Sequence, residues 1–309
     1  MKSSNIGGQA VLEGIMMKNG DTYAVAVRKP DGEIVIQKET YTSIIKWKKL
    51  TKIPFVRGVF NFIDSLVLGM KTLMFSAQFF EDEEEEISEA QRAKNEKSEK
   101  RIMNITVAFS IVLAVGIFMV LPYFLTNLLS GFIKSQGARS IIEGVVRLAI
   151  FIGYVLLISN MKDIRRVFMY HGAEHKCINC IEHGLVLNVE NVRKSSKQHK
   201  RCGTSFLLFV MLISIVLFFF IRVESPILRV VIRIALVPVI AGISYELIKW
   251  AGNSTNALVS MLSKPGLWLQ NLTTKEPEDD MIEVAIQSVE AVYDWKAYLR
   301  ENYPMTLEE

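Results

Sequence analysis

Residues Ser205–Ile221, SFLLFVMLISIVLFFFI, decide the class of this protein, because they form an apolar run without a single charged side chain. A helix of about 20 such residues crosses the hydrocarbon core of a bilayer, so the run predicts a membrane span. The composition agrees with this prediction, since half of the 309 residues are hydrophobic and the mean hydropathy is +0.26. We therefore expect a membrane protein and not a soluble domain.

Three further stretches are long and apolar enough to span a bilayer, namely Ile105–Leu129, Ile141–Asn160 and Ile227–Lys249. Residues 55–80 are also apolar, but a charged residue recurs there at every seventh position. That spacing favours an amphipathic helix that lies in the membrane interface or re-enters it, whereas a fifth crossing would invert the topology. The fold expected is a mainly α membrane protein, a four-helix transmembrane bundle with a small α+β cytosolic cap.

Lysine and arginine are concentrated on one side of the predicted spans. Residues 1–103 hold 16 of them and the loop 161–203 holds nine, whereas the connections 130–140 and 222–226 hold few. The positive-inside rule then places both termini and the loop 161–203 in the cytoplasm. The location expected is the cytoplasmic (inner) membrane, where the thiols of this loop stay reduced.

The polar segments also have recognisable patterns. Tyr23–Val27 and Glu33–Tyr41 read as two strands around the turn Pro30-Asp31-Gly32, and Glu278–Leu299 has helical periodicity. The division expected is a cytosolic N-terminal segment with a β-hairpin (1–54), an interfacial or re-entrant helix (55–80), a charged linker helix (81–103), transmembrane helices one and two (104–160), a cytosolic His/Cys loop (161–203), transmembrane helices three and four (204–250) and a cytosolic helical tail (251–309).

All four histidines and all three cysteines lie within 32 residues, between His171 and Cys202. A lone histidine is usually a structural residue, but this concentration predicts a metal site. One interpretation uses four ligands in two pairs, each pair spaced by two residues, which is the usual frame of a closed structural zinc site: Cys177 with Cys180, and His199 with Cys202. Such a site would build structure and would not catalyse a reaction.

A second interpretation uses the segment His171-Gly172-Ala173-Glu174-His175. Positions i and i+4 of a helix share one face, so both imidazoles can reach one ion. The H-x-x-E-H order is that of the inverzincin hydrolases, in which the glutamate serves as the general base. His199 or Cys202 would supply a third ligand, and an open fourth position would make the site catalytic. The spacing alone leaves both interpretations open.

The chain resembles the YqhQ family of bacterial membrane proteins, an uncharacterised group described as predicted metal-dependent enzymes. The segments that carry the resemblance run along nearly the whole chain. They are Gly7-Gly8-Gln9-Ala10-Val11 with Glu13-Gly14 and Met16-Met17, Pro54 with Arg57-Gly58, Tyr170-His171-Gly172-Ala173-Glu174-His175-Lys176, Cys180 with Glu182, His199 with Arg201-Cys202-Gly203-Thr204-Ser205-Phe206, and Leu272-Thr273-Thr274 with Glu276-Pro277.

The resemblance implies a metal site and a bacterial source, but no established reaction. It does not include Cys177, and it therefore favours Glu174 as the catalytic residue and a set of metal ligands drawn from His171, His175, His199 and Cys202, with Cys180 in reserve. It also directs attention to Gln9 and Glu13, which would hydrogen-bond to the histidine ligands and orient them. The alternative is that Gly7, Gly8 and Gly14 of this segment only shape a tight turn. Mixed imidazole and thiolate ligands suit zinc, which is the cofactor expected.

Two functions follow from these expectations. The first is a zinc-dependent hydrolase of unknown substrate at the cytosolic face of the membrane. The alternative is a zinc-stabilised membrane scaffold, without enzymatic activity, that assists the assembly, insertion or regulation of membrane or translation machinery. The partners expected are the lipid bilayer and a protein of that machinery, and the sequence carries no nucleic-acid-binding motif.

Overall fold

The computed structural model describes residues 2–43, 53–80, 89–129, 131–221, 223, 225–252 and 256–304. The chain divides into two compact units. One comprises residues 1–80, 155–210 and 238–309, and the other comprises residues 81–154 and 211–237. Residues 81–88 of the expected linker helix lie outside the described part of the chain, and the helix begins at Glu89.

The first unit contains a four-stranded antiparallel sheet in the order β1-β2-β3-β4, formed by Gly7–Val11, Gly14–Asn19, Thr22–Arg28 and Ile34–Thr40. The last two strands are the predicted hairpin. The first two strands were not predicted, because the glycines of this segment suggested a tight turn. They alternate as strands do: Ile15 and Met17 face one side of the sheet and Met16 faces the other.

Eleven α-helices occur in the described residues: α1 Val56–Ala77, α2 Glu89–Val115, α3 Leu121–Leu128, α4 Gln136–Ile158, α5 Lys162–Glu182, α6 Val189–Lys194, α7 Gly203–Phe220, α8 Pro226–Gly252, α9 Ala257–Thr273, α10 Asp279–Val292 and α11 Trp295–Asn302. A π-helical segment, Gly116–Val120, joins α2 to α3. The C-terminal helix predicted as one piece is two, because Asp294 begins α11 by accepting a hydrogen bond from the backbone N–H of Ala297 at 2.8 Å.

Helices cover both faces of the sheet. Helices α5 and α10 pack on the face that carries Ile15 and Met17, and their shared core includes Ile178 and Met281. Helix α1 packs on the other face, where Leu68 joins the cluster of Met16 and its neighbours. The edge of β1 therefore lies between α1 and α5.

Within the described ranges, five helices are long and apolar enough to cross a membrane: α1, the α2–α3 run from Arg101, α4, α7 and α8. The protein is accordingly a multi-pass membrane protein. Four of these helices coincide with the predicted spans, and α1 is one more than the four crossings expected. Each of the regularly spaced charges of α1 has a partner: Lys71 donates to Glu39 of β4 at 2.5 Å, Asp64 accepts from Tyr41 at 3.0 Å, and Arg57 donates to Glu246 of α8 at 2.7 Å. This packing explains why an apolar helix carries charges at regular intervals.

The second unit holds a buried group of charges. The guanidiniums of Arg147 and Arg233 both bind the carboxylate of Glu143, and all three residues are at most 5% exposed. Arg147 also donates to the backbone oxygen of Phe118 at 2.9 Å and to the hydroxyl of Ser214 at 3.1 Å. These contacts link α4 to α7 and α8 through charges that the bilayer cannot solvate.

Candidate metal centre

Three side chains that bind metals well converge where α5 meets the start of α7. His171 and His175 lie one turn apart on the same face of α5, and Cys202 directly precedes α7. One donor atom from each of these residues lies within 4.8 Å of the other two. In the part of the chain that the structure describes, this is the group of three that meets the geometric requirement for holding an ion.

Backbone carbonyls fix the orientation of both imidazole rings. The Nδ1 atom of His171 lies 3.0 Å from the carbonyl oxygen of Thr273, and Nδ1 of His175 lies 2.6 Å from that of Lys197. A carbonyl oxygen only accepts hydrogen bonds, so each neutral ring carries its proton on Nδ1 and leaves the lone pair on Nε2 free. This is the arrangement that orients histidine ligands in metalloproteins.

The surroundings of Cys202 favour the deprotonated form of its thiol. Its Sγ lies 3.3 Å from Nε2 of His171, and the backbone N–H of Thr204 donates to it at 3.4 Å. Burial raises the pKa of Cys202, but the neighbouring His171 and His175 lower that pKa well below its usual value. Burial lowers the pKa of His171, but the Cys202 thiolate opposes it and raises the pKa to about 9. The thiolate is the form that binds a metal.

Glu174 stands beside this group, one residue before His175 on α5. Its Oε2 lies 3.8 Å from Nε2 of His171, and the residue is 5% exposed. A cavity of about 650 Å³ is lined by His171, Glu174 and Cys202 together. His171 and Cys202, which would hold a metal together with His175, therefore border a cavity that also contains a carboxylate, and a catalytic site needs such space for water or substrate.

Two of the candidate ligands lie outside the group of three. The ring of His199 lies beside that of His175, with centroids 5.8 Å apart, but its Nε2 donates to Glu182 at 3.4 Å and its backbone N–H donates to Gln270 at 2.8 Å. Sγ of Cys180 lies 3.5 Å from the carbonyl oxygen of Val186, and burial raises the pKa of this thiol to about 11. Among the described residues, the four members of the closed site, Cys177, Cys180, His199 and Cys202, thus do not come together within ligand distance of one another.

Gln9 and Glu13, which were expected to orient the histidine ligands, have different surroundings. Glu13 binds the guanidinium of Arg166, with one contact at 2.6 Å, and accepts a weaker hydrogen bond from the hydroxyl of Tyr170 at 3.4 Å. It therefore fixes the turn of α5 that precedes the site through Arg166 and Tyr170. Gln9 packs against α1 at Gly69, where a larger residue would collide with its side-chain amide, and it lines the cavity.

Sequence reasoning missed the backbone segment that supports His171. A Cβ atom on Gly172 would lie 2.0 Å from the carbonyl oxygen of Lys275, so this glycine lets α5 pack directly on the segment after α9. The end of α9, just before that segment, supplies the Thr273 carbonyl that holds the His171 ring. The sequence marked Thr273 as part of a motif, but a backbone acceptor leaves no trace in the type of the residue that provides it.

A second buried network was also missed. The carboxylate of Glu182 is fully buried and accepts hydrogen bonds from the backbone N–H of Ser4 at 2.7 Å and from Arg201 at 2.5 Å. Burial would raise the pKa of Glu182, but His199 and Arg201 lower it to about 2. His199 and Arg201 belong to the segment that ends at Cys202, so this network fixes the approach of the cysteine.

Comparison with known proteins agrees with the resemblance seen in the motifs. Residues 53–295 match the model of a family described as a protein of unknown function, DUF1385. The chain is 35% identical to the "Uncharacterized protein YqhQ" of Bacillus subtilis (strain 168) over 300 residues, which covers 96% of this chain and 94% of the relative. No solved structure matches the chain. The chain therefore belongs to the DUF1385 family, and it is similar to YqhQ over nearly its whole length.

Proposed function

We propose that this protein is a zinc-dependent hydrolase at the cytosolic surface of the membrane. The observation that carries the proposal is the convergence of two imidazole nitrogens and one cysteine sulfur beside a carboxylate and an open cavity. His171, His175 and Cys202 would hold the metal, and Glu174 would act as the general base. His199 would position the Cys202 segment through its hydrogen bond to Glu182.

The donor set supports zinc over the harder cations. Magnesium and calcium prefer oxygen ligands, whereas imidazole and thiolate together suit zinc and related transition metals. When bound, the ion would polarise both a water molecule and the carbonyl group of the substrate. The protein itself supplies the orientation of the rings, the base and the cavity.

Glu174 would accept a proton and later return it during hydrolysis. Its carboxylate accepts a proton from the attacking water, whose oxygen forms the new bond to the carbonyl carbon. The same carboxyl group then returns the proton to the leaving nitrogen or oxygen as the bond to the carbonyl carbon breaks. Gly8 favours this role, because its missing side chain leaves room for the Glu174 methylenes: a Cβ added to Gly8 would lie only 2.9 Å from Cγ of Glu174.

The position of the site supports action at the membrane. Cys202 directly precedes α7, an 18-residue helix of mean hydropathy 2.5, so the donors lie at the N-terminal end of a candidate span. The nine lysines and arginines of residues 161–203 favour a cytosolic location for this end of the span. A reducing cytosol would keep the three cysteines free. The exposed apolar face of α1 would then lie in the membrane interface.

A Glu174→Gln variant tests the hydrolase. It keeps the size of the side chain but removes the base, so we expect unchanged zinc content and a loss of activity of about 10²-fold or more. The readouts are zinc analysis of the purified protein in detergent and complementation of a strain that lacks the gene. Glu190→Gln, on the exposed surface of α6, is the matched control. Full complementation by Glu174→Gln would exclude general-base catalysis.

The scaffold remains a second candidate because the three donors come from two elements. An ion bound there would tie α5 to the start of α7 and would brace the sheet, on which α5 packs, against a candidate span. This function depends on the ligands and not on the base. It therefore predicts that Cys202→Ala fails to complement the deletion strain while Glu174→Gln complements it.

A further inference from the structure

The outer edge of β1 presents unused hydrogen-bonding groups. Val11 and Gly14 close the two-residue turn between β1 and β2 and form its terminal hydrogen-bonded pair. Pairs alternate along an antiparallel ladder, so Gly8 and Ala10 occupy the non-hydrogen-bonded positions. Their N–H and C=O groups point away from β2. Among the described residues, none forms a backbone hydrogen bond with these outward groups.

This edge borders the cavity of the candidate metal centre. Gly8, Gln9 and Ala10 line the same space of about 650 Å³ as His171, Glu174 and Cys202. Helix α5 covers one face of the sheet and α1 covers the other, so the open edge between them leads to the donors. A free edge strand is normally shielded in folded proteins, because it invites another strand to pair with it.

The remaining walls of the cavity are mainly apolar, with Asn61, Ser65, Arg201 and Thr204 as polar exceptions. Phe62 and Leu66 of α1, Phe206 and Leu207 of α7, and Ile248 of α8 line the cavity together with β1. The volume lies within the range of about 300–1,000 Å³ that is typical of small-molecule sites. A ligand in this space would meet both backbone polar groups and apolar side chains.

We propose that the substrate is a polypeptide in extended conformation that pairs with the edge of β1 and places apolar side chains against α1 and α7. This inference rests on the proposed hydrolase and names its substrate class. Water would add OH to the carbonyl carbon of the scissile peptide bond and H to its nitrogen, and the C–N bond would break. Since α7 begins beside the site, the segment cut would lie close to the membrane surface.

A peptide fits the cavity better than the acyl chain of a lipid. An acyl chain would fill the apolar side but would cover the outward N–H and C=O groups of Gly8 and Ala10 without bonding to them. Burying unpaired backbone groups is costly, whereas an added strand satisfies them. Extended peptides also alternate their side chains, so every second residue would face the apolar wall.

The test compares hydroxamate probes that share one metal-binding group. One carries a Leu-Phe-Ala amide, one carries an alkyl chain of similar apolar size, and acetohydroxamate carries neither. Binding to the zinc-loaded Glu174→Gln protein in detergent is measured by calorimetry. We expect the peptide probe to bind on the order of tenfold or more tightly than the alkyl probe. N-methylation of the peptide nitrogens that face β1 should weaken binding about tenfold, and N-methylation of the alternate nitrogens that face away should weaken it little.

A variant of the strand tests the same pairing from the protein side. Ala10→Pro removes the outward N–H of β1 at an edge position, where proline is tolerated. It should weaken the peptide probe several-fold and leave acetohydroxamate binding unchanged. Hydrogen exchange gives a second readout, since the amide of Ala10 should exchange more slowly when the peptide probe is bound.

Each outcome separates this inference from the proposed function. If acetohydroxamate binds and the alkyl probe binds as tightly as the peptide probe or more tightly, the peptide substrate is contradicted and a lipid substrate is favoured. Equal effects of N-methylation at the nitrogens that face β1 and at those that face away would contradict strand pairing. Failure of acetohydroxamate to bind the zinc-loaded protein would instead contradict the open metal site and hence the hydrolase itself.

Discussion

Sγ of Cys202 lies 3.3 Å from Nε2 of His171, although the two residues are 31 positions apart in the chain. The contact joins a thiol at the N-terminal end of a candidate membrane span to an imidazole on a helix that packs against the sheet. His175 completes the group from one turn further along α5. The site therefore depends both on its three donors and on the networks that hold α5 and the Cys202 segment together.

Metal content should depend on the three converging donors. We expect wild-type protein purified from zinc-containing medium to carry about one ion per chain, and Cys202→Ala or His175→Ala to carry little. Mass spectrometry of the metal in the purified protein measures this directly. The reason is geometric, since a third ligand within 4.8 Å cannot be replaced by another described cysteine or histidine.

The matched controls for metal content are the other two cysteines. Cys177→Ala and Cys180→Ala remove buried thiols of α5 that lie outside the group of three, and they should keep the metal. A loss of zinc in Cys177→Ala and Cys180→Ala together with its retention in His175→Ala would restore the alternative site of Cys177, Cys180, His199 and Cys202.

Gly172→Ala should weaken both the fold and the metal site. The new Cβ would meet the backbone oxygen of Lys275 at 2.0 Å, and backbone cannot swing aside as a side chain can. We expect a destabilisation of about 1–3 kcal/mol and, because the Thr273 carbonyl would shift away from His171, roughly tenfold weaker zinc binding. Thermal unfolding and zinc titration in detergent measure the two effects.

Gly153→Ala is the control for that substitution. It adds the same methyl group to a helical glycine with no heavy atom within 4 Å of the new Cβ, so neither readout should change appreciably. If Gly172→Ala behaves like this control, close packing of α5 on the segment after α9 is not what holds His171 in place.

The buried carboxylate of Glu182 should make stability depend on acid pH. Its pKa of about 2 lies below the usual glutamate value of 4.5, so the folded state favours the charged form. The stabilisation is present above pH 4.5 and is lost as the pH falls toward 2. The difference in unfolding free energy between wild type and Glu182→Gln should be largest near neutral pH, on the order of 3 kcal/mol, and should shrink in acid. Denaturant unfolding in detergent across this pH range measures it.

An exposed glutamate provides the control for the pH experiment. Glu190 pairs with Lys194 on the surface, and Glu190→Gln should leave the pH profile of stability unchanged. A free-energy difference for Glu182→Gln that stays constant from neutral pH down into the acid range would show that the network with Ser4 and Arg201 does not depend on the charge.

Glu143 should be required for the second unit to fold. Glu143→Gln leaves Arg147 and Arg233 buried with their charges uncompensated, and breaking such a network typically costs about 3–5 kcal/mol. Thermal unfolding in detergent micelles measures the loss. Adding Arg233→Gln to the same chain removes one of the two charges and should recover part of the stability. No recovery in the double variant would contradict the role of charge compensation.

The sequence by itself determined the parts that depend on local pattern. Apolar runs such as Ser205–Ile221 are long enough and free enough of charge to cross a bilayer, so four of the five candidate spans were predictable. The β3–β4 hairpin followed from alternation around a turn. The segment 171–175 could be placed on a helix because its spacing of four matches the helical period.

Only the tertiary structure decided which members of the His/Cys cluster meet. More than one ligand set satisfied the spacings, and His199 differs from His175 by its long-range hydrogen bond to Glu182 and not by its local sequence. The carbonyls that orient the rings and the free edge of β1 are backbone groups, which every residue carries. Their roles depend on packing between segments far apart in the chain, and residue types alone do not record that packing.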